Sequence, residues 1–273
     1  MPTPRIRTFL IALSLLGMTS ITSARAQSSS EESSGDAAGP IESFPADIDE
    51  GSLFAQLLAH NALRNAALLG YTEQRTYEVK DTTGRVRAQE IGQMEYRAPD
   101  KKTFVTTSES GSGIVRRLAL SPLIASEIET TSGKQHHDSA ISPANYTLEL
   151  LGQQDVGPYH CFLVHAVPKR PDKYLFEGKV WIDTEDYAVV RIAGHPAKKL
   201  SFWIERADFV REYQKIDGFW LSKKDETFVQ VRIYGNKILT IDHQNYNVEG
   251  AGKTGESVRT LPADRPGASA TSR

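Results

Sequence analysis

Residues 174–192 read Tyr-Leu-Phe-Glu-Gly-Lys-Val-Trp-Ile-Asp-Thr-Glu-Asp-Tyr-Ala-Val-Val-Arg-Ile. Two stretches rich in aromatic and β-branched residues, 174–183 and 188–192, flank a polar turn, which is the pattern of two paired strands. Apolar and polar side chains alternate along the first stretch: Phe176, Val180 and Ile182 against Glu177, Lys179 and Asp183. This alternation predicts a strand with one apolar and one polar face.

The same strand-and-turn pattern extends in both directions along the chain. The predicted strands are Tyr71–Lys80, Arg85–Arg97, Lys102–Ser108, Tyr146–Leu151, Tyr159–Val167, Tyr174–Asp183, Ala188–Ile192, Phe202–Tyr213, Trp220–Lys223, Glu226–Tyr234 and Ile238–Val248. Most of the turns between them are short, so consecutive strands pair antiparallel, and a sheet of this length curls. We therefore predict an α+β fold, mainly antiparallel β, in which the apolar face of a curved, half-open barrel is covered by helices.

Two helical segments supply that cover. The first is predicted over residues 52–69, with Ser52 as its N-cap and Gly70 as its stop. Its apolar side chains recur at helical spacing: Phe54, Leu57, Leu58, Ala62, Ala66 and Leu69. The second is predicted over residues 112–132 in two pieces, because Ser121-Pro122 is typical of a new helix start. This second segment is either a lid over the apolar face or an ordinary core helix.

The ends of the chain predict export. Residues 1–26 have the basic start, short apolar middle and small-residue cleavage site of a signal peptide. Residues 27–51 form a Ser/Glu-rich linker, 52–249 the folded domain and 250–273 a polar, disordered tail. No cysteine follows the apolar run, so the exported protein is expected to be soluble and not lipidated.

Composition excludes several classes of function. With 32 Lys and Arg against 34 Asp and Glu, the chain has no general field for nucleic acid. Its one cysteine, Cys161, lies in an apolar strand and is expected to be a buried hydrophobe. Residues 136–138, His-His-Asp, are expected to be a solvated loop. No nucleophile–base motif is present, and no metal or other cofactor is expected.

A family resemblance rests on three neighbouring stretches. Residues 178–183, 188–194 and 201–204 read GKVWID, AVVRIAG and SFWI. This pattern, within residues 52–248, resembles the bacterial outer-membrane lipoprotein-sorting proteins of the LolA/RseB-like superfamily. The resemblance implies a LolA-like, eleven-stranded half barrel in the periplasm, with a helical lid and a cavity for lipoprotein acyl chains. It also implies a strand arginine that hydrogen-bonds the lid closed, for which Arg75, Arg87 and Arg97 remain alternatives.

The leading hypothesis is a non-enzymatic periplasmic binding protein or carrier for lipid or the acyl chains of lipoproteins, with membrane proteins as further partners. Its affinity would come from apolar contact, about 0.8 kcal/mol per methylene. The expected lining residues are Phe104, Phe176, Val180, Ile182, Val190, Val229 and Val231 from strands and Leu118, Leu123 and Ile124 from the lid. The alternatives are an RseB-like envelope regulator or scaffold that binds another protein through a strand edge, and an unrecognised hydrolase.

Overall fold

The computed structural model describes residues 39–45, 48–129, 139–172, 174–200 and 202–250. The predicted signal peptide, the tail after Gly250 and the His136–Asp138 loop lie outside the described residues. The helices are α1 (Glu50–Ala67), α2 (Gly113–Val115) and α3 (Ser121–Glu129), with a π-helical turn (Arg116–Leu120) between the last two. The strands are β1 (Leu68–Asp81), β2 (Val86–Arg97), β3 (Lys101–Gly111), β4 (Tyr146–Val156), β5 (Tyr159–Pro168), β6 (Phe176–Asp183), β7 (Val189–Pro196), β8 (Ile204–Ile216), β9 (Phe219–Val231) and β10 (Gly235–Gly250).

In the described part of the chain, ten strands form one antiparallel sheet in the order β3-β2-β1-β10-β9-β8-β7-β6-β5-β4. The sheet is curved and does not close, so the predicted half-open architecture is confirmed. The expectation of eleven strands is wrong for these residues. The predicted strands at 220–223 and 226–234 are one strand, β9, because Lys224 and Asp225 keep their places in the ladder with β10. Two consecutive polar residues are typical of a turn, but the backbones of Lys224 and Asp225 stay paired with β10.

Helix α1 begins earlier than its apolar pattern suggests. Asp49, not Ser52, is the N-cap, and Ser52 completes a capping box by accepting a hydrogen bond from the Asp49 backbone. The helix ends at Ala67 and the chain enters β1 directly, so Leu69 belongs to a strand. The buried stripe consists of Leu53, Phe54 and Leu57, whereas Leu58 is exposed. No helix of the described residues combines the length and apolar character needed to cross a membrane.

The apolar side chains beneath α1 form the larger hydrophobic cluster, which we call the first core. Three α1 residues pack there on strands β4 to β8. Its buried members are Leu53, Phe54, Leu57, Ile141, Tyr146, Leu148, Phe162, Val164, Ala166, Leu175, Phe176, Val180, Ile182, Val189, Ile192 and Phe209. Part of the predicted linker also reaches this half of the sheet, since Phe44 stacks on Phe162 and Glu42 bridges to Gln153 of β4.

Residues 113–129, which we call the lid, cover the other half of the same face. Helix α3 starts at Ser121, as predicted, but Ser121 is itself helical and not a cap, and the backbone stays helical from Gly113 to Glu129 through the π-helical turn. The side chains between the lid and strands β1, β2, β8, β9 and β10 form the second core. Its buried members are Tyr77, Val79, Ala88, Leu120, Leu123, Ile124, Ile204, Ala207, Val229, Leu239 and Ile241.

A small third cluster lies on the opposite face of the sheet. It contains Cys161, Leu163, Trp181 and Val190. Cys161 is fully buried, as predicted, and burial, with a smaller contribution from Asp183 and Asp155, raises the pKa of its thiol to about 12. This thiol is therefore protonated and unreactive at neutral pH.

Candidate functional site

The ten residues expected to line one site lie in four different environments. Phe176, Val180 and Ile182 belong to the first core, and Val190 to the third cluster. The second core and its immediate neighbours contain five: Phe104, Leu123, Ile124, Val229 and Val231. Leu118 is on the lid but partly exposed. The structure thus brings five of the expected residues together and separates the other five from them.

Val190 illustrates why strict alternation misplaces a residue. Counting back from Ile192 by two puts Val190 on the face of the first core. In the structure, Ile182 pairs with Val189 whereas Trp181 pairs with Arg191, so Val190 is the extra residue of a β-bulge. It therefore packs beside Trp181 on the opposite face.

The first core is filled by the protein's own side chains. Phe176, Val180 and Ile182 have no exposed surface, and the α1 residues Leu53 and Leu57 are equally buried. The ring of Phe176 lies 5.5 Å from that of Phe209 in an edge-to-face contact. Such close packing of a helix on a sheet is the arrangement of a structural core.

The second core borders open space. A cleft of about 400 Å³ lies at the end of β8, and three apolar residues of the second core, Leu200, Ile204 and Ala207, contribute to its wall. The rest of the lining is mixed and mostly polar: His195, Pro196, Lys198, Lys199, Glu205, Arg206 and Asp208. The apolar side chains of the second core are therefore continuous with the wall of a cleft that reaches the surface.

Charged side chains stand on the same face of the sheet, next to the second core. Arg75 Nε donates to Glu73 Oε1 over 2.7 Å, and Glu73 Oε2 lies 2.8 Å from His243 Nδ1. The other ring nitrogen of His243 lies 3.3 Å from Asp225, which Arg211 also contacts. Glu73, Arg75 and His243 are almost fully buried. We call these five residues the ionic network.

The ionic network reaches the lid through one side chain. Arg75 Nη1 donates to Glu127 Oε2 of α3, and the hydroxyl of Tyr77 donates to the same oxygen over 2.9 Å. Of the three arginines left open by the resemblance, Arg75 makes the lid contact. Arg87 lies 4.0 Å from Asp81 and Arg97 pairs with Glu249, both at half-exposed positions.

The charged groups of the ionic network shift one another's pKa values. Burial acts to raise the pKa of Glu73, but Arg75 and His243 outweigh it and hold that pKa below its usual value. The pKa of Asp225 is lowered in the same way, against burial, by His243 and Arg211. Burial and Arg75 act to lower the pKa of His243, yet Asp225 and Glu73 raise it overall. The two carboxylates thus favour the protonated form of the imidazole.

The sequence contains a weak signal for this network. Glu73 and Arg75 have the same parity in β1 as Tyr77 and Val79, which the strand pattern assigns to the apolar face. Two charged residues at inward positions of one strand indicate a buried pair with partners elsewhere. Those partners are 50 or more residues away along the chain, so local pattern could not name them.

A second row of polar residues crosses the opposite face. Glu149, His165, Glu177 and His195 belong to four consecutive strands. His165 lies 2.9 Å from Glu149 and 3.4 Å from Glu177, and burial raises the pKa of Glu177. Within the ranges that the structure describes, no group of three His, Cys, Asp or Glu side chains is arranged to hold a metal ion.

Comparison with known proteins was made by sequence and by structure. No protein-family model matches the sequence, and no curated protein matches it. Among solved structures, a domain described as an outer membrane lipoprotein-sorting protein from Vibrio parahaemolyticus is 12% identical, with 77% of this chain and 96% of that chain covered and a TM-score of 0.43. A LolA superfamily protein from Nitrosomonas europaea is 6% identical, with 74% and 94% covered and a TM-score of 0.34.

A third similar structure is that of MucB in complex with MucA(peri). It is 9% identical, with 70% of this chain and 93% of that chain covered and a TM-score of 0.24. The names of the first two solved structures are those of the superfamily that residues 178–204 resemble.

Proposed function

We propose that the protein is a non-enzymatic periplasmic binding protein or carrier for lipid or for the acyl chains of lipoproteins, with a role in outer-membrane lipoprotein sorting. The observation that carries this proposal is the attachment of the lid. A short helical segment covers an apolar wall and is fastened to it by the buried pair Arg75–Glu127. An acyl chain would enter between the lid and the wall.

The ion pair is what distinguishes a lid from a permanent cover. Replacing a buried ion pair by well-packed apolar residues is often neutral or stabilising, so such a pair is a poor device for stability alone. When the lid moves away, the Glu127 carboxylate enters water and regains its hydration, which offsets part of the cost of breaking the pair. The cover of the first core, α1, uses Leu53, Phe54 and Leu57 instead. The two covers therefore differ in chemistry as they would if only one of them opens.

The proposed lining is narrower than the set predicted from sequence. It consists of the five residues in and against the second core, namely Phe104, Leu123, Ile124, Val229 and Val231. Phe176, Val180 and Ile182 are left out because they pack under α1 in the first core. Val190 is left out because the β-bulge places it on the opposite face. At about 0.8 kcal/mol per buried methylene, a long acyl chain would bind such a wall without a specific polar partner.

Mass spectrometry of copurified lipid tests the proposal. Protein purified from the periplasm should carry acyl chains in its organic extract. Ile124→Asn, which places an amide on the lining side of the lid, should reduce the recovered lipid severalfold. Leu63→Asn is the matched control, because Leu63 is a helix residue that is 71% exposed. Lipid-free wild type, or equal recovery from Ile124→Asn and the control, would contradict the carrier role.

A second candidate function is favoured by the open edge of the sheet. Strand β3 ends the sheet order and most of its side chains are exposed, whereas Gln153 of the other edge strand is bridged by Glu42. An extended segment of a partner protein could add to β3 as a further strand. A photo-crosslinking residue at Val105, which is 64% exposed, should then capture one envelope protein, and the same group at Leu63 should not.

A further inference from the structure

Large apolar side chains are concentrated at one end of the sheet. Phe202 and Trp203 precede β8, and Ile233 and Tyr234 follow β9. Phe202, Ile233 and Tyr234 are each about two-thirds exposed or more, and Trp203 is 38% exposed. The two segments are adjacent, because the backbone N–H of Arg232 donates to the Trp203 carbonyl over 3.0 Å. We call these four residues the aromatic end.

Exposure of this kind is uncommon on a protein surface. Single exposed apolar residues are ordinary, but a contiguous group of large ones marks an interaction site. The two aromatic rings of Phe202 and Trp203 lie 5.4 Å apart and edge to face, so they form one surface rather than two isolated contacts. The guanidinium of Arg232 covers the Phe202 ring at 4.3 Å and extends the surface with a cation.

The charge around the aromatic end points to an anionic partner. Within residues 198–208 and 231–237, five lysines and arginines stand against two acids, Glu205 and Asp208, although the net charge of the whole chain is −2. Lys198 and Lys199 are exposed and precede the aromatic pair by a few residues in the sequence. Aromatic rings that enter the headgroup region, with lysines and arginines at the same level, are the combination that binds a phospholipid surface.

We propose that the aromatic end docks the protein on an anionic bilayer surface. The apolar side chains enter the headgroup region while Lys198 and Lys199 pair with lipid phosphates. Leu200, which lines the cleft, lies between these lysines and the aromatic pair. Docking at this end therefore brings the cleft close to the membrane. The inference stands on surface residues and does not require that the lid opens.

Vesicle cosedimentation tests the inference with the full purified protein. The protein should bind vesicles of phosphatidylethanolamine with phosphatidylglycerol at least tenfold more tightly than vesicles of phosphatidylcholine alone. The double variant Phe202→Ser/Tyr234→Ser should weaken binding to the anionic vesicles about tenfold or more. Lys198→Glu/Lys199→Glu should weaken it by a similar factor and reduce its dependence on salt. These positions are exposed, so the variants should fold as the wild type does.

Two controls make the comparison specific. Leu63→Ser removes an equally exposed apolar side chain from α1, and Lys179→Glu reverses an exposed charge on β6. Neither should change the binding constant. The inference is overturned if the wild type does not bind anionic vesicles, if it binds phosphatidylcholine equally well, or if the aromatic variant binds like Leu63→Ser. If wild-type protein carries no copurified acyl chains but still binds anionic vesicles, the carrier proposal is contradicted and the docking inference is supported.

Discussion

Arg75 connects the wall of the second core to the lid. Its side chain is 5% exposed and contacts carboxylates from two elements, Glu73 on its own strand and Glu127 on the lid. Tyr77 donates to the same oxygen of Glu127. The residue thus belongs both to the wall and to the fastening of the lid, and its removal affects both.

Arg75→Met should lower the free energy of unfolding by about 3 kcal/mol. The substitution removes the arginine that pairs with both Glu73 and Glu127, and breaking a buried pair in this way typically costs about 3–5 kcal/mol. Urea denaturation measures the loss. Arg97→Met is the matched control, since the Arg97–Glu249 pair is half-exposed and is expected to contribute less than about 1 kcal/mol. Equal losses in the two variants would refute the assignment of Arg75.

His243 should make stability depend on pH. Its pKa is raised in the folded protein, so the folded state holds the proton more tightly than the unfolded chain, whose histidine has a pKa of about 6.5. The stabilisation is complete below that value and is lost as pH rises through the higher folded pKa. Urea denaturation from about pH 6 to about pH 9 should show this decline. His243→Gln should be less stable at the lower pH and flatten the decline; an unchanged slope would contradict the role of His243.

At the scale of elements, the lid and α1 are two covers built differently. Helix α1 has 18 residues, a capping box and three buried apolar side chains. The lid has a three-residue helix, a π-helical turn and a nine-residue helix. The π-helical turn interrupts regular α-helical hydrogen bonding within the lid, so the lid depends more than α1 does on the second core and on Glu127.

Glu127→Gln should loosen the lid selectively. The amide keeps the shape of the side chain but removes the charge that Arg75 and Tyr77 bind, and charge-assisted hydrogen bonds are about twice as strong as neutral ones. Hydrogen exchange of peptides within residues 113–129 should accelerate about tenfold, while that of peptides from β5 and β6 stays the same. Glu249→Gln, at the exposed pair, should leave both rates unchanged. Uniform acceleration over the whole chain would indicate general destabilisation instead.

For the whole molecule, the sheet carries two cores of unequal roles on one face. The first is closed by α1 and filled, and the second is closed by a lid beside an open cleft. Strands β8 to β10 continue past the second core to the aromatic end. Under the proposed function, the half with the first core stabilises the fold and the half with the second core binds the ligand.

This division predicts different outcomes for two buried leucines. Leu57 of α1 and Leu123 of α3 are both almost fully buried. Leu57→Ala should lower the global free energy of unfolding by about 3 kcal/mol, within the range for leucine in a filled core. Under the proposed function the lid opens locally before the sheet unfolds, so Leu123→Ala should cost less globally and should instead speed hydrogen exchange in the lid. Urea denaturation with hydrogen exchange separates the two; equal effects on both measurements would contradict the division.

Much of the fold could be predicted from local pattern. The alternation of residues 174–183, the turn that follows them and the helix start at Ser121-Pro122 depend on neighbours along the chain, and the structure contains each of them. The second core could be predicted in part, since five of the ten expected lining residues lie there. The α1 N-cap was misplaced because Asp49 and Ser52 are both good caps, and only the backbone decides between them.

What the sequence determined alone is therefore the antiparallel sheet with helical cover, because strand alternation and turn chemistry act over a few residues. Tertiary structure decided the rest. The bulge that turns Val190 away depends on the register between β6 and β7. The choice of Arg75 over Arg87 and Arg97 depends on which side chain meets Glu127, 52 residues away. The division of one apolar face into a filled core and a lidded core depends on where α1 and the lid pack on the sheet. Contacts between residues far apart in the sequence decide this packing, and no local pattern specifies them.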